Sequence, residues 1–173
     1  MALRNVVKKG DDILRKKCRP VEKFDDRLAT LVEDMIETMY DSNGVGLAGP
    51  QVGMMRRVVV IDVYDGNGPF ELINPEILSV EGEQEGYEGC LSCPDEMGWV
   101  VRPFALTVKY QDKEGNWHEK YCEELLARAV CHETDHLDGI LFIDKAEEVI
   151  SKEEFERLME EEAEYEEDEE IGE

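Results

Sequence analysis

Apolar residues recur at helical spacing along the first quarter of the chain, at Leu28, Leu31, Val32, Met35, Ile36, Met39 and Tyr40. The pattern opens behind Asp25-Asp26 and is followed by Asn43-Gly44, a cap signal and a stop signal, so an amphipathic helix is predicted between them. The period then changes. Runs rich in β-branched and aromatic residues cover Arg57 to Val63, Phe70 to Asn74, Val100 to Arg102, Ala105 to Gln111 and Trp117 to Cys122. Asp65-Gly66-Asn67-Gly68 and Lys113-Glu114-Gly115-Asn116 punctuate them as turns, which predicts mostly antiparallel strands. Helical spacing returns from about Glu123 to Leu137, with Leu125, Ala129, His132 and His136 on one stripe and Gly139 just beyond. Ser151 and Glu154 form a capping-box pattern ahead of Phe155, Leu158 and Met159, which predicts a C-terminal helix. Residues 164–173 are too acidic and too poor in core residues to require structure, and disorder is expected there. The elements add up to an α+β fold: mostly antiparallel strands packed around a central helix carrying His132 and His136, flanked by an N-terminal amphipathic helix and a C-terminal helix.

The 173 residues suffice for one core and leave little for a second. With no repeat and no composition shift before the tail, a single catalytic domain is expected over residues 1–150, followed by an acidic helix and tail over 151–173. The net charge of −24 is concentrated toward the end. Residues 151–173 hold thirteen acidic and two basic side chains, a net −11, leaving −13 for the rest. Such a surface repels phosphates and anionic lipid at long range, so neither DNA nor a membrane is an expected partner. The N-terminal residues lack an apolar signal core, and no run approaches the roughly 18 apolar residues of a membrane span. Five cysteines (Cys18, Cys90, Cys93, Cys122, Cys131) form an odd set, which favours reduced thiols or metal ligation over disulfides. A cytoplasmic location is the expectation.

The candidate chemistry centres on His132-Glu133-Thr134-Asp135-His136. A four-residue step on a helix brings two side chains within about 40° of each other and roughly 6 Å apart along the axis, so both imidazoles can hold one ion. Glu133 lies about 100° round from His132. It need not be a ligand, and can serve a water at the ion as general base. Two core histidines beside a helix-favouring glutamate would look the same, so a third ligand has to decide. One zinc-protease pattern needs a histidine where Phe142 stands. Another takes a glutamate from a later helix, for which Glu153, Glu154 and Glu156 are available but poorly anchored. Cys90, in Glu88-Gly89-Cys90-Leu91-Ser92, supplies a thiolate that would complete a three-ligand site with an open position.

Gly44-Val45-Gly46-Leu47-Ala48-Gly49-Pro50-Gln51, Glu88-Gly89-Cys90-Leu91-Ser92 and His132-Glu133-Thr134-Asp135-His136-Leu137 resemble, in order, the three signature motifs of the peptide deformylases. The resemblance runs from about Leu14 to Phe142 and is to the bacterial type. It implies removal of the formyl group from the N-terminal formylmethionine of nascent proteins. It further implies that Cys90, His132 and His136 are metal ligands and that Glu133 takes a proton from the attacking water and later gives one to the departing amine. Gln51, through its side-chain amide, and Leu91, through its backbone N–H, would stabilise the oxyanion that develops at the formyl carbon. Val45, Gly46 and Gly89 would hold the substrate backbone as an added strand, and an apolar pocket would take the methionine side chain. Iron(II) is the implied cellular ion, with zinc, nickel or cobalt suited to the same ligands. The implied partners are formylmethionyl nascent chains, with transient proximity to the ribosome.

Three positions depart from the family pattern without removing a reacting group. Gly49 stands where alanine is usual, Cys131 where glutamine usually precedes the first histidine, and Cys93 where an aliphatic residue is usual. Cys90 and Cys93 have the spacing of a redox or zinc-ribbon pair, but Pro94 to Gly98 reads as loop rather than helix, and Cys122 and Cys131 are too far apart to form a second pair. A packing role is expected for Cys93. The glycines of residues 44–49 match a dinucleotide loop only in reversed context, with a helix before and a strand after. The resemblance also implies an ion pair between Arg102 and Asp135 behind the site, with an unpaired, solvated arginine as the alternative. A metallopeptidase using a tail glutamate and a metal-binding protein without catalysis remain the alternatives.

Overall fold

The computed structural model describes residues 2–172. Its helices are α1 (Asp26–Asp41), α2 (Glu124–Leu137), α3 (Phe142–Lys145) and α4 (Lys152–Ile171). Its strands are β1 (Gly46–Ala48), β2 (Val58–Ile61), β3 (Phe70–Glu81), β4 (Gln84–Cys90), β5 (Cys93–Arg102), β6 (Ala105–Gln111), β7 (Trp117–Glu123) and β8 (Glu148–Ser151). All strand pairings are antiparallel, in a five-stranded sheet ordered β1-β2-β3-β6-β7 and a three-stranded sheet ordered β4-β5-β8. The architecture is therefore mixed helix and antiparallel sheet, as the hydrophobic pattern predicts.

The larger sheet is covered on both faces, which explains the unbroken apolar run of β2. Val59 and Ile61 join Ala48, Leu72, Leu106, Val108 and the α2 residues Ala127, Val130 and Leu137 in one cluster. Val58 and Val60, pointing the other way, join Leu47, Ile73 and the α1 residues Leu28, Leu31, Val32, Met35 and Met39 in another. Alternation along a strand sends successive side chains to opposite faces, so a strand covered on both sides must be apolar at every position. Each fully buried aliphatic chain contributes about 1.5–3 kcal/mol. The smaller sheet has its own cluster, formed by Cys93 and Val100 with Leu14, Leu141 and Phe142. Cys93 packs there, 3% exposed.

The expected helix signals operate as read. The Asp25 carboxylate accepts from Leu28 N–H at 3.1 Å, and Asn43 adopts φ 57° immediately after α1, a conformation asparagine tolerates better than most residues. Gly139 ends α2 at φ 74°, where a Cβ would lie 2.5 Å from Arg15 O. Ser151 Oγ accepts from Glu154 N–H at 3.1 Å at the start of α4.

Three expectations need correction. Pro94 to Gly98 is not loop but part of β5. Pro94 is tolerated because β8 pairs only with Glu96 to Trp99, and the β4 ladder shifts register between Glu88 and Cys90, leaving Pro94 opposite no paired residue. Leu125 shares the stripe of Ala129 and His132 but is not buried: it is 48% exposed, because it lines the wall of an open cleft with them. Residues 164–171 are helical rather than disordered, since strong helix formers carry the helix without a buried residue; Glu173 lies outside the described residues.

Candidate active site

The end of β4 and the middle of α2 converge on one point. Cys90 is the last residue of β4, and His132 and His136 occupy successive turns of α2. One ligand atom from each lies within 4.8 Å of the others, and Cys90 Sγ is 3.4 Å from His136 Nε2. Donors at about 2.0–2.3 Å from a tetrahedral ion stand about 3.5 Å apart, so a small contraction closes this trio on one cation. Thiolate with two imidazoles suits zinc, iron, nickel or cobalt. Glu153, Glu154 and Glu156 instead line a separate surface groove with Ser151, Arg157 and Glu160, so none of these three carboxylates joins the trio.

Behind the trio, buried charge orients the His132 imidazole. His132 Nδ1 faces Glu88 Oε1 at 2.8 Å, leaving Nε2 to face the site. The Arg102 guanidinium grips Glu88 with a fork, Nε to Oε2 at 2.8 Å and Nη2 to Oε1 at 2.9 Å. Its remaining arm reaches Asp135 Oδ2 at 2.7 Å, so the expected Arg102–Asp135 pair is present. Burial alone would raise the Glu88 carboxyl, but hydrogen bonds from Arg102 and His132 hold it well below the usual carboxylate range. Burial likewise opposes charging of His132, but the hydrogen bond to Glu88 together with the negative charges of Glu133 and Glu88 outweighs it, leaving the imidazole raised. His136, without such a partner, is lowered by burial and by the neighbouring His132 charge. The Cys90 thiol is pushed up by its hydrogen bond with Cys93 and then by burial.

Glu133 is 4% exposed. Burial pushes its carboxyl up to about 7, although the His132 charge pulls the other way. Oε1 lies 3.8 Å from His132 Nε2, while Oε2 is buried without a partner. An orphaned buried carboxylate oxygen is costly unless something absent from the protein alone completes it. Gly46 makes room for it, since a Cβ there would approach Oε1 to 2.7 Å.

A cleft of about 560 Å³ opens over this point. Val45, Gly46, Gln51, Gly89, Cys90, Leu91, His132 and Glu133 all line it; His136 sits beneath, 1% exposed. Gln51, in the 3₁₀ turn Gly49–Val52, accepts from Ala48 N–H at 2.9 Å through Oε1. That contact turns its amide nitrogen toward Ser92 Oγ at 3.0 Å and Cys90 Sγ at 3.5 Å. Strands β1 and β4 are both sheet edges. Ser92 and Arg128 were missed by sequence reasoning. Ser92 stood in the Glu88–Ser92 motif without a role assigned to it, whereas Arg128, one helical turn before His132, was a usable signal.

A thiolate and two imidazoles around one point, beside a buried glutamate in an open cleft, form the donor set of a mononuclear metalloenzyme. The polypeptide deformylase family model matches residues 3–152. The chain is 56% identical to the peptide deformylase of Caldicellulosiruptor bescii over 157 residues, 91% of this chain and 93% of that one. The fold is similar to the crystal structure of the Thermotoga maritima peptide deformylase, with TM-score 0.82 and 44% identity over 86% of this chain and all of that one. It is also similar to a Met-Ala-Ser-bound class I type b peptide deformylase of Acinetobacter baumannii, with TM-score 0.80 and 36% identity over 83% of this chain and 98% of that one. The chain belongs to the polypeptide deformylase family.

Proposed function

We propose that this protein is a peptide deformylase, a metal-dependent hydrolase that removes the N-formyl group from the formylmethionine of nascent proteins. The observation that carries this is the convergence of Cys90, His132 and His136, with Glu133 buried and half-unpartnered beside them, in a chain of this family. A divalent cation held by those three residues would supply Lewis acidity, polarising the formyl carbonyl and making a water at the site more acidic. Iron(II) is our choice for the cell, with zinc, nickel or cobalt able to replace it.

The chain's own residues do the rest. Glu133, with its carboxyl raised to about 7, accepts the proton of the attacking water and delivers it to the departing amine, a task that favours a pKa near the working pH. Gln51 turns its amide from Ser92 and Cys90 toward the developing oxyanion, joined by the Leu91 backbone N–H. The substrate backbone lies as a strand between the β1 and β4 edges, along Val45, Gly46 and Gly89. Its methionine side chain enters the cleft beside Leu125 and Ala129. The Met-Ala-Ser ligand of the Acinetobacter baumannii relative supports a peptide in this cleft.

In this account α2 is the central helix about which the strands pack, a placement supported by the α2 residues within the larger core cluster. Residues 1–150 form the catalytic unit and 151–173 an appendage, supported by the family match to 3–152 and by the absence of buried residues from α4. No described helix is long and apolar enough to cross a membrane. We place the enzyme in the cytoplasm, with passing proximity to ribosomes.

Hydrolysis of formyl-Met-Ala-Ser by the metal-loaded protein tests the function. Glu133→Ala is expected to lower kcat by at least 10²–10⁴-fold while metal content stays near one per chain. A metal-loaded wild type that leaves the formyl group in place would refute the proposal, and loss of metal from Glu133→Ala would make Glu133 a ligand rather than a base.

A further inference from the structure

Arg128, His132 and His136 follow one another at four-residue steps along one face of α2. Arg128 is 8% exposed, and its guanidinium bonds to three places on the smaller sheet. Nη1 donates to Glu88 Oε2 at 2.7 Å, to Val100 O at 3.2 Å and to Gly86 O at 3.4 Å. Gly86 and Val100 are register partners on β4 and β5. Gly86 leaves room for the group, since a Cβ there would lie 3.3 Å from Nη2. Among the described residues, Arg128 is the α2 side chain that bonds to the backbone of both strands.

The ligands come from two bodies. Cys90 sits on β4 of the smaller sheet, while His132 and His136 sit on a helix packed against the larger one. Their mutual placement depends on whatever fixes α2 against β4. The Glu88 carboxylate is the shared node, with Oε1 on His132 Nδ1 and Oε2 receiving both Arg102 Nε and Arg128 Nη1. Arg102 belongs to β5, in the same sheet as Glu88; its fork orients the carboxylate, and its other arm crosses the gap to the Asp135 carboxylate on the last turn of α2. Arg128 spans the gap as well, from the helix that carries the histidines to the strand that carries Glu88 and, two residues on, Cys90. A buried charge-assisted bond with two backbone contacts restricts rotation more than a single bond would.

We propose that Arg128 is a positioning residue for the metal site: through Glu88 it sets the direction of the His132 imidazole and holds the thiolate-bearing strand in register with the histidine-bearing helix. The proposal rests on Cys90, His132 and His136 being the ligands. Groups that orient a metal-ligating histidine are commonly worth 10–100-fold in metal affinity.

The test strips the full-length protein of metal with a chelator and titrates it with cobalt(II) against a competing chelator. Affinity and the visible absorption of the thiolate-bound cobalt are both read. Arg128→Met is expected to bind cobalt at least 10-fold more weakly, with displaced absorption bands. Arg128→Lys, which keeps the charge but lacks the fork, is expected to fall between it and wild type. On a Glu88→Gln background, Arg128→Met is expected to cost less than it does alone, because part of its action passes through the carboxylate. Wild-type affinity and bands in both Arg128 variants would overturn the proposal, as would an undiminished loss on the Glu88→Gln background, which marks general destabilisation. Should Arg128→Met not fold, Arg128→Lys decides alone, weakened binding supporting the proposal and wild-type binding overturning it. Failure of the wild type to bind cobalt would instead remove the ligand assignment beneath it, and the proposal with it.

Discussion

Gly49 shows how a single residue constrains its surroundings. A Cβ at this position would lie 2.6 Å from Arg56 O and 2.7 Å from Met54 O. Both are backbone atoms, which cannot rotate aside as a side chain can. Gly49→Ala is therefore expected to destabilise the fold by about 1–3 kcal/mol, the usual cost of overpacking. Urea unfolding checks this, and an unchanged midpoint would mean that residues 53–57 shift at no cost. Residue identities at the site were readable because each reacting group is chemically distinctive: a cysteine between glycine and leucine, two histidines four apart, a glutamate between them. Their partners were less readable. The Glu88 contacts with Arg128 and His132 join positions 40 and 44 residues apart, and only the packing of β4 against α2 creates them.

Elements were legible in proportion to their burial. Helices α1 and α2 and strands β2 and β6 were visible because each buries a continuous face or stripe, whereas β7 is largely exposed and was marked by its aromatic residues and the turn ahead of it. Strand β1 has three residues, β8 has four, and β4, written Gln-Glu-Gly-Tyr-Glu-Gly-Cys, has the composition of a loop. They exist because neighbours supply their ladders, a tertiary override of local propensity. Strand β8 illustrates the dependence, since Ile150 is 7% exposed and pairs with Met97 on β5. Removing residues 160–173 is expected to leave the melting temperature and metal content unchanged, because residues 160–172 are all exposed. Removing residues 146–173 also strips β8 and is expected to lower the melting temperature; equal melting temperatures for the two truncations would contradict this division.

The N-terminal segment is tied to α1 at the Asp34 carboxylate and at Thr38, whose Oγ1 accepts from Arg4 N–H at 3.0 Å. Asp34 accepts from Ala2 N–H at 2.8 Å and pairs with Arg4 at 3.0 Å. The Ala2 amide bond and the Arg4 contacts hold its carboxyl below the usual range, against the opposing effect of burial. A folded-state pKa below the unfolded one gives stabilisation that is present above the unfolded value and lost as pH falls through the folded one. The N-terminal segment is expected to loosen on acidification, seen as faster proteolysis near residues 2–6. Asp34→Asn is expected to flatten that pH dependence, and an unaltered dependence would place the acid-sensitive group elsewhere.

At the scale of the whole molecule, the candidate site is the junction of two sheets. Each sheet has its own apolar cluster, and between them lie Glu88, Arg102, Arg128 and Asp135 together with the three candidate ligands. Buried charge at such a seam adds little stability by itself, but it fixes geometry, which is what a three-ligand site needs. The net charge of −24 gives a surface suited to solubility rather than phosphate binding. The most direct measurement is X-ray absorption at the zinc edge of the zinc-loaded, full-length protein. One sulfur at about 2.3 Å with two nitrogens at about 2.0–2.1 Å is expected, and a first shell of nitrogen and oxygen alone would contradict the joining of Cys90 to His132 and His136 around one ion.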